Sequence, residues 1–207
     1  DYFQTIEESA ETLLTLLNDL LDLTKLETGK MKFEYVPTDL SILCDQIIDE
    51  FRSMFSERNL TIRCECNVNK EVAVDAEKIK QVLRNLISNA GKFSPDGGAI
   101  DVYMHQREDT VLAVVCDQGP GVPDDELEAV FDKFVQSSKT NTGAGGTGLG
   151  LAICQEIITA HKGRIWAENR SEGGAVFSFE IPLSVDANAE ESVLVGAGND
   201  SDSNVND

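Results

Sequence analysis

A chain of 207 residues with 41% hydrophobic content can bury one ordinary core and carry a small appendage. Its 37 acidic against 17 basic residues leave a formal charge of -20, which repels phosphate backbones and excludes binding to nucleic acid by counterion release. The five cysteines are odd in number and lack metal-like spacing: Cys64 and Cys66 are two apart, and Cys44, Cys116 and Cys154 are scattered through apolar segments. Reduced, mostly buried thiols in a cytoplasmic compartment are the expectation.

From Ile6 the apolar residues follow a seven-residue repeat, with Ile6, Leu13 and Leu20 at one position and Ser9, Leu16 and Leu23 three further on. Ala10, Leu14, Leu17 and Leu21 widen that seam to the width of a helix in a four-helix bundle. Asn18, Asp19, Asp22 and Lys25 interrupt the leucines, and no basic leader precedes them, so the chain reads as soluble, without membrane contact. The helix is expected to run to about Glu27 and to stop at Gly29, before a short extended piece from Met31 to Val36. Pro37 and Thr38 are expected to open a second helix, in which Leu40, Leu43, Cys44, Ile47, Ile48 and Phe51 keep the 3.6-residue period.

Leu60 to Cys66 and Val72 to Val74 read as strands. Asp75 can cap a helix whose buried face runs through Ile79, Val82, Leu83, Leu86, Ile87 and Ala90. The period then changes to two in Ile100, Val102 and Met104, and a second strand runs from Val111 to Cys116 after a turn at Glu108 and Asp109. Pro123 and Asp124 are expected to start a short helix ending near Phe134, and residues 137–148 read as a mobile polar loop. Leu149 to His161 is helical with Gly163 as its stop, and Arg164 to Glu168 and Ala175 to Ile181 are strands. The order predicts an α/β (α+β) two-layer sandwich at 34–184, preceded by a bundle helix and connector at 1–33 and followed by an acidic, disordered tail at 185–207.

Four segments carry chemistry. In NLISNAGKF, residues 85–93, Asn85 and Asn89 are four apart and share a face with Lys92 one turn on, away from the apolar stripe. Such a polar ridge suits Mg²⁺, which takes oxygen ligands and is shared with nucleotide phosphates, although a solvated helix face has the same spacing. In DQGPGVP, residues 117–123, Asp117 at a strand end can accept a hydrogen bond from an exocyclic amine, and Gly119 and Gly121 allow close backbone approach to a flat ligand. A plain turn explains that segment about as well. FDKF, residues 131–134, reads by itself as a core anchor with both aromatics packed inward. It leads into GAGGTGLGLAI, residues 143–153, where glycines give way to a helix whose free amides suit phosphates, with a flexible linker as the alternative.

Together NLISNAGKF, DQGPG, FDKF and GTGLGL resemble the N, G1, F and G2 boxes of sensor histidine kinases. These kinases belong to the GHKL ATPase superfamily, with gyrase B and the heat-shock chaperone and mismatch-repair ATPases. The resemblance covers about residues 38–184. It implies a Bergerat-type fold: a mixed, mainly antiparallel sheet backed by three helices, holding ATP beneath a lid at about 137–149. It further implies that Asp117 bonds the adenine amino group and that Asn89 helps bind Mg²⁺, with Asn85 and Lys92 facing metal or phosphate and Phe93 bordering the nucleotide. Gly146, Thr147, Gly148, Leu149 and Gly150 would lie along the phosphates, and Ser178 would support the adenine site through water.

Residues 1–30, ending in LTKLETGK, resemble the second helix of the family's dimerisation and phosphotransfer hairpin. Neither His105, before Gln106, nor His161, before Lys162, fits the phosphoacceptor motif, and a cationic His161 would suit a helix C-terminus. Gly91 stands where the family usually has a larger apolar side chain, a substitution expected to loosen that end of the helix. The resemblance implies phosphoryl transfer from Mg·ATP to a histidine this chain lacks, then relay to a response-regulator receiver domain in two-component signal transduction, in a homodimeric cytoplasmic kinase. A regulatory ATP-binding or dimerisation module without kinase activity is the alternative, and an ATP-driven conformational machine is a third reading.

Overall fold

The computed structural model describes residues 2–139 and 147–184. Helix α1 (Tyr2–Glu27) is followed by strand β1 (Val36–Thr38), helix α2 (Leu40–Ser56), strands β2 (Thr61–Asn67) and β3 (Val72–Val74), and helix α3 (Ala76–Phe93). Strands β4 (Ala99–Gln106) and β5 (Thr110–Cys116), helix α4 (Gly150–Ala160), and strands β6 (Arg164–Asn169) and β7 (Ala175–Pro182) complete the order. The main sheet runs β2-β4-β5-β7-β6, with β2 parallel to β4 and every other pairing antiparallel, and β1 and β3 form a separate antiparallel pair. Alternation in β4 and β5 turns Ile100, Val102, Met104, Val111, Ala113 and Val115 onto one face, where all are at most 1% exposed. The stripe Ile79, Val82, Leu83, Leu86 and Ile87 of α3 belongs to the same core, as do Ile153, Ile157 and Ile158 of α4. The expected two-layer sandwich is therefore present, with the helices on one face of a mixed, mainly antiparallel sheet.

Helix α1 ends as expected, with Gly29 in the left-handed region at φ 63° and the amide of Lys30 bonded back to Lys25 O at 2.9 Å. Its C-terminal half lies against the rest of the molecule: Leu23 is 3% exposed, and Asp22 accepts from Gln81 Nε2 at 3.1 Å. Leu16 is half-buried, whereas Ile6, Leu13, Leu14, Leu17, Leu20 and Leu21 are exposed.

Three local expectations are corrected. Pro37 and Thr38 belong to strand β1, not to a helix: Pro37 opposes Ala73 in a two-stranded ribbon that tolerates its missing N–H, and Asp39 caps α2 by accepting from the amides of Ser41 (2.8 Å) and Ile42 (3.3 Å). Residues 123–134 form two 3₁₀ turns, Asp124–Glu126 and Ala129–Phe131, in place of one helix. Phe131 packs inward while Phe134, at φ 63°, is 64% exposed. The left-handed residue ending α4 is Lys162 at φ 58°, not Gly163. Gly163 is required for space, since a Cβ there would stand 2.3 Å from Glu180 O in the neighbouring strand.

His161 is fully buried and neutral, not the cation expected at a helix end. Its Nδ1 bonds Ile157 O at 2.8 Å, Nε2 accepts from the Asp75 amide at 3.0 Å, and the rings of Phe33 and Tyr35 meet it edge-on. Burial pushes its pKa below the ordinary histidine value of 6.5. As pH falls through 6.5 the unfolded chain takes up the proton first, so stability present at neutral pH is lost on acidification. Melting temperature measured between about pH 8 and pH 5 is expected to fall more in the native chain than in His161→Gln, whose amide oxygen can accept from Asp75 without titrating. Equal slopes in the two chains would contradict this.

Candidate functional site

Helix α3 starts where Asp75 accepts from the amide of Lys78 at 3.1 Å, and its buried stripe fixes its rotation against the sheet. That rotation leaves Asn85, Asn89, Lys92 and Phe93 half-buried along its C-terminal half. Burial lowers the pKa of Lys92, whose ammonium lies 5.0 Å from the centre of the Phe93 ring. The end of α3 is closed by a residue that no motif marks: Arg58 donates from Nη1 to Gly91 O and from Nη2 to the O of the capping residue Ser94, at 2.6 and 2.8 Å.

Gly91 has a packing reason. An added Cβ would meet the buried ring of Phe55 at 2.3 Å, so the aromatic from α2 occupies the volume of the missing side chain, and the helix end is filled and not loosened. Gly91→Ala is expected to lower stability by about 1 kcal/mol despite the better helix propensity of alanine, and Phe55→Leu in the same chain is expected to recover part of it. Thermal melts of the two single variants and the double variant check this.

Asp117 follows the end of β5, 4% exposed, with its backbone held by Ala175 O of β7 and by Arg170 Nη1. Its Oδ1 accepts from the amides of Gly119 (2.8 Å) and Ala175 (3.0 Å), while Oδ2 takes no hydrogen bond from any described residue. Burial raises the Asp117 pKa above its ordinary 3.8, opposed by those two amides and by the charge of Arg170. Gly119 approaches α3 so closely that a Cβ would lie 2.9 Å from Phe93 O. Gly121, at φ 71°, packs on Asn169, whose Oδ1 accepts from the Val122 amide at 2.8 Å and whose Nδ2 donates to Val122 O at 2.6 Å. Asn169 and Arg170, at the end of β6, thus shape the DQGPG turn.

At the other end of the ridge, Asn85 Nδ2 donates to Gly150 O at 3.3 Å, which brings α3 to the N-terminus of α4. Gly148, at φ 68°, sits against the backbone of Phe134, whose amide bonds Gly148 O at 2.9 Å, so one base of the glycine-rich segment is closed by FDKF. Gly146 lies outside the described residues. Thr147 donates to Asp19 Oδ2 on α1 at 3.1 Å and accepts from the Leu149 amide at 3.1 Å, and the Leu149 side chain is 1% exposed in the core. Both are held by protein in this arrangement.

The close approach of Gly119 to Phe93 O and the bond from Asn85 to Gly150 O thus set the DQGPG turn and the N-terminus of α4 against the C-terminal half of α3, the helix that carries Asn89 and Lys92. Ser178 stands apart. It opposes Val114 and Trp166 in mid-strand, and alternation turns it away from the face of Phe177 and Phe179. The β7 residue that touches Asp117 is Ala175. Gly174, Ala175, Asn169, Arg170 and Arg58 are the contributors that pattern reading missed. A glycine pair before a strand was the only trace of any of them.

A buried carboxylate beside one end of α3 and a glycine-lined helix N-terminus beside its middle suit a molecule with an amine-bearing ring and an anionic tail. Residues 74–185 match the family of histidine kinase-, DNA gyrase B-, and HSP90-like ATPases. The chain belongs to this ATPase family. Its relatives within the family are sensor histidine kinases: it is 36% identical over 195 residues to sensor histidine kinase TmoS of Ectopseudomonas mendocina, covering 93% of this chain and 20% of that protein. Full-length ShkA in complex with AMPPNP superposes with a TM-score of 0.77 at 28% identity, over 88% of this chain and 38% of that one. Histidine kinase ThkA in complex with response regulator protein TrrA does so at 0.71 and 28%, over 88% and 50%. Residues 74–185 thus form an ATPase domain of the kind found in sensor histidine kinases, and the chain spans 20% of the length of TmoS. Among the described residues no helix is long and apolar enough to cross a membrane.

Proposed function

We propose that this domain presents Mg·ATP for phosphoryl transfer to a histidine on a helix outside the chain, in a cytoplasmic, homodimeric two-component kinase that passes the phosphoryl group to a response-regulator receiver domain. The observation that carries the reading is the Asp117 carboxylate: two backbone amides hold Oδ1 in place and Oδ2 is left to accept from a ligand amine. Asn89, with Asn85, would supply amide oxygen to Mg²⁺. The donor type fits, because Mg²⁺ takes oxygen ligands, keeps several waters and is shared with nucleotide phosphates, so one or two amide oxygens suffice from the protein. When bound, Mg²⁺ supplies charge neutralisation of the transferring phosphate.

The protein's own residues do the positioning. Lys92 adds a cation on the same ridge, and α4 begins at Gly150 with no side-chain cap on its N-terminal amides, which suits an anionic group there. The exposed leucines of α1 support the dimerisation reading, since an amphipathic helix with that stripe needs a partner. Among the chain's two histidines, His161 is buried and committed on both ring nitrogens, which supports an acceptor located elsewhere.

Titration of ATP into the chain with and without Mg²⁺ tests the reading. Binding strengthened by Mg²⁺ is expected, and Asn89→Ala is expected to remove roughly tenfold of that gain while leaving Mg²⁺-free binding unchanged. Absence of ATP binding would refute the proposal. Phosphate transfer in trans to a separately supplied histidine-bearing hairpin tests the kinase step.

A further inference from the structure

The notable chemistry away from the candidate nucleotide site lies along the seam between α2 and the edge strand β2. Inward-facing Cys64 and Cys66 of β2 meet Cys44 and Ser41 of α2: the sulfurs of Cys44 and Cys64 are 3.0 Å apart, and the Ser41 hydroxyl donates to Cys66 Sγ at 3.4 Å. A disulfide needs sulfurs about 2.05 Å apart, so a shift of about 1 Å would let the first pair bond. The two thiols differ in surroundings. Cys44 is 1% exposed, whereas Cys64 is half-buried on a strand that pairs on one side only. A hydrogen bond from Cys44 lowers the Cys64 pKa, while that of Cys44 is raised. All five cysteines are free.

We infer that Cys64 and Cys44 form a peroxide-reactive pair, Cys64 attacking and Cys44 resolving, whose oxidation joins helix α2 to the edge strand. The Cys64 thiolate attacks one oxygen of a hydroperoxide: an S–O bond forms, the O–O bond breaks, and the alcohol, or water from hydrogen peroxide, leaves with a solvent proton. The Cys44 sulfur then attacks the Cys64 sulfenic sulfur; the S–S bond forms, the S–O bond breaks, and hydroxide leaves as water with the Cys44 proton. Two thiols give up two electrons and the peroxide is reduced. Cys66 is two residues along the same face, and its thiol, raised by burial, takes its bond from Ser41 and not from a second thiol. Cys154, fully buried and pushed up to about 12, has no path to the oxidant, and Cys116 is a half-buried thiol without a thiol partner, which makes it an internal control.

The test exposes the reduced, full chain to hydrogen peroxide, blocks remaining thiols at intervals and maps each cysteine by mass spectrometry under non-reducing conditions. Cys64 and Cys44 are expected to disappear together, about tenfold faster than Cys116, giving a Cys44–Cys64 peptide pair about 2 Da lighter that dithiothreitol reverses. In Cys44→Ala, Cys64 is expected to stop at the sulfenic acid and be trapped by dimedone. Loss of Cys64 no faster than Cys116, or a bridge to Cys66 in place of Cys44, would overturn the inference, and both are read on the unmutated chain.

Discussion

Asp117→Asn is expected to weaken ATP binding by roughly 100-fold, about 2.8 kcal/mol, while leaving the melting temperature equal or higher. The asymmetry follows from the two oxygens. Oδ1 is fixed as an acceptor by the amides of Gly119 and Ala175, so an asparagine must keep its carbonyl there and turn its NH₂ to the place of Oδ2. With the adenine contact proposed above, two donors then face each other. The folding effect has the opposite sign. Burial raises the Asp117 pKa above 3.8, so the carboxyl contributes stability below that pH and loses it as pH rises through the folded-state value. At neutral pH the buried charge is a cost that a neutral amide of the same shape does not carry. Calorimetric titration and a thermal melt on the same sample check both halves. A large drop in melting temperature would show that the carboxylate is a structural anchor.

Gly174→Ala is expected to cost about 3 kcal/mol of stability and to weaken nucleotide binding, while Gly173→Ala, one residue away, is expected to cost about 1–2 kcal/mol and to leave binding unchanged. Both glycines lie in the left-handed region, at φ 93° for Gly173 and 97° for Gly174, so both substitutions strain the backbone. They differ in what a Cβ would meet. At Gly173 nothing lies within 4 Å, but at Gly174 the Asp117 carbonyl oxygen is 2.1 Å away and its carbon 2.9 Å, and neither can rotate aside as a side chain would. The Asp117 backbone must move, and with it the carboxylate. Denaturant melts paired with ATP titration distinguish the two variants, and identical binding losses would contradict the account.

The local signals that were legible were those with a short period or a special residue. The 3.6-residue stripe of α3, the alternation of β4 and β5, the Asp75 cap and the Gly29 stop each depend on residues within a turn or two of one another, and each stands where the pattern placed it. Pro37 and Thr38 were misread because a proline before an apolar helical run is a helix-start signal, and only pairing with β3, more than thirty residues on, makes them a strand. Phe134 and His161 failed differently. Their type and spacing are compatible with an inward aromatic and a terminal cation, and the neighbours that decide otherwise, Gly148 in one case and Asp75 with Phe33 and Tyr35 in the other, come from remote segments.

The sequence by itself determined the family, the order of its four motifs and the places of two polar candidates, Asn89 on a helix face and Asp117 at a strand end, because residue type and spacing carry that information along one dimension. Only the tertiary structure decided what surrounds them. Ala175, Gly174 and Arg170 constrain Asp117, Arg58 closes α3, and Phe55 fills the place of a side chain at Gly91. It likewise put Ala175, and not Ser178, against Asp117 and brought Cys44 within 3.0 Å of Cys64. Backbone donors, excluded volume and contacts across twenty or more residues leave no periodic trace in a chain, since they exist only when strand register and helix rotation bring distant atoms together.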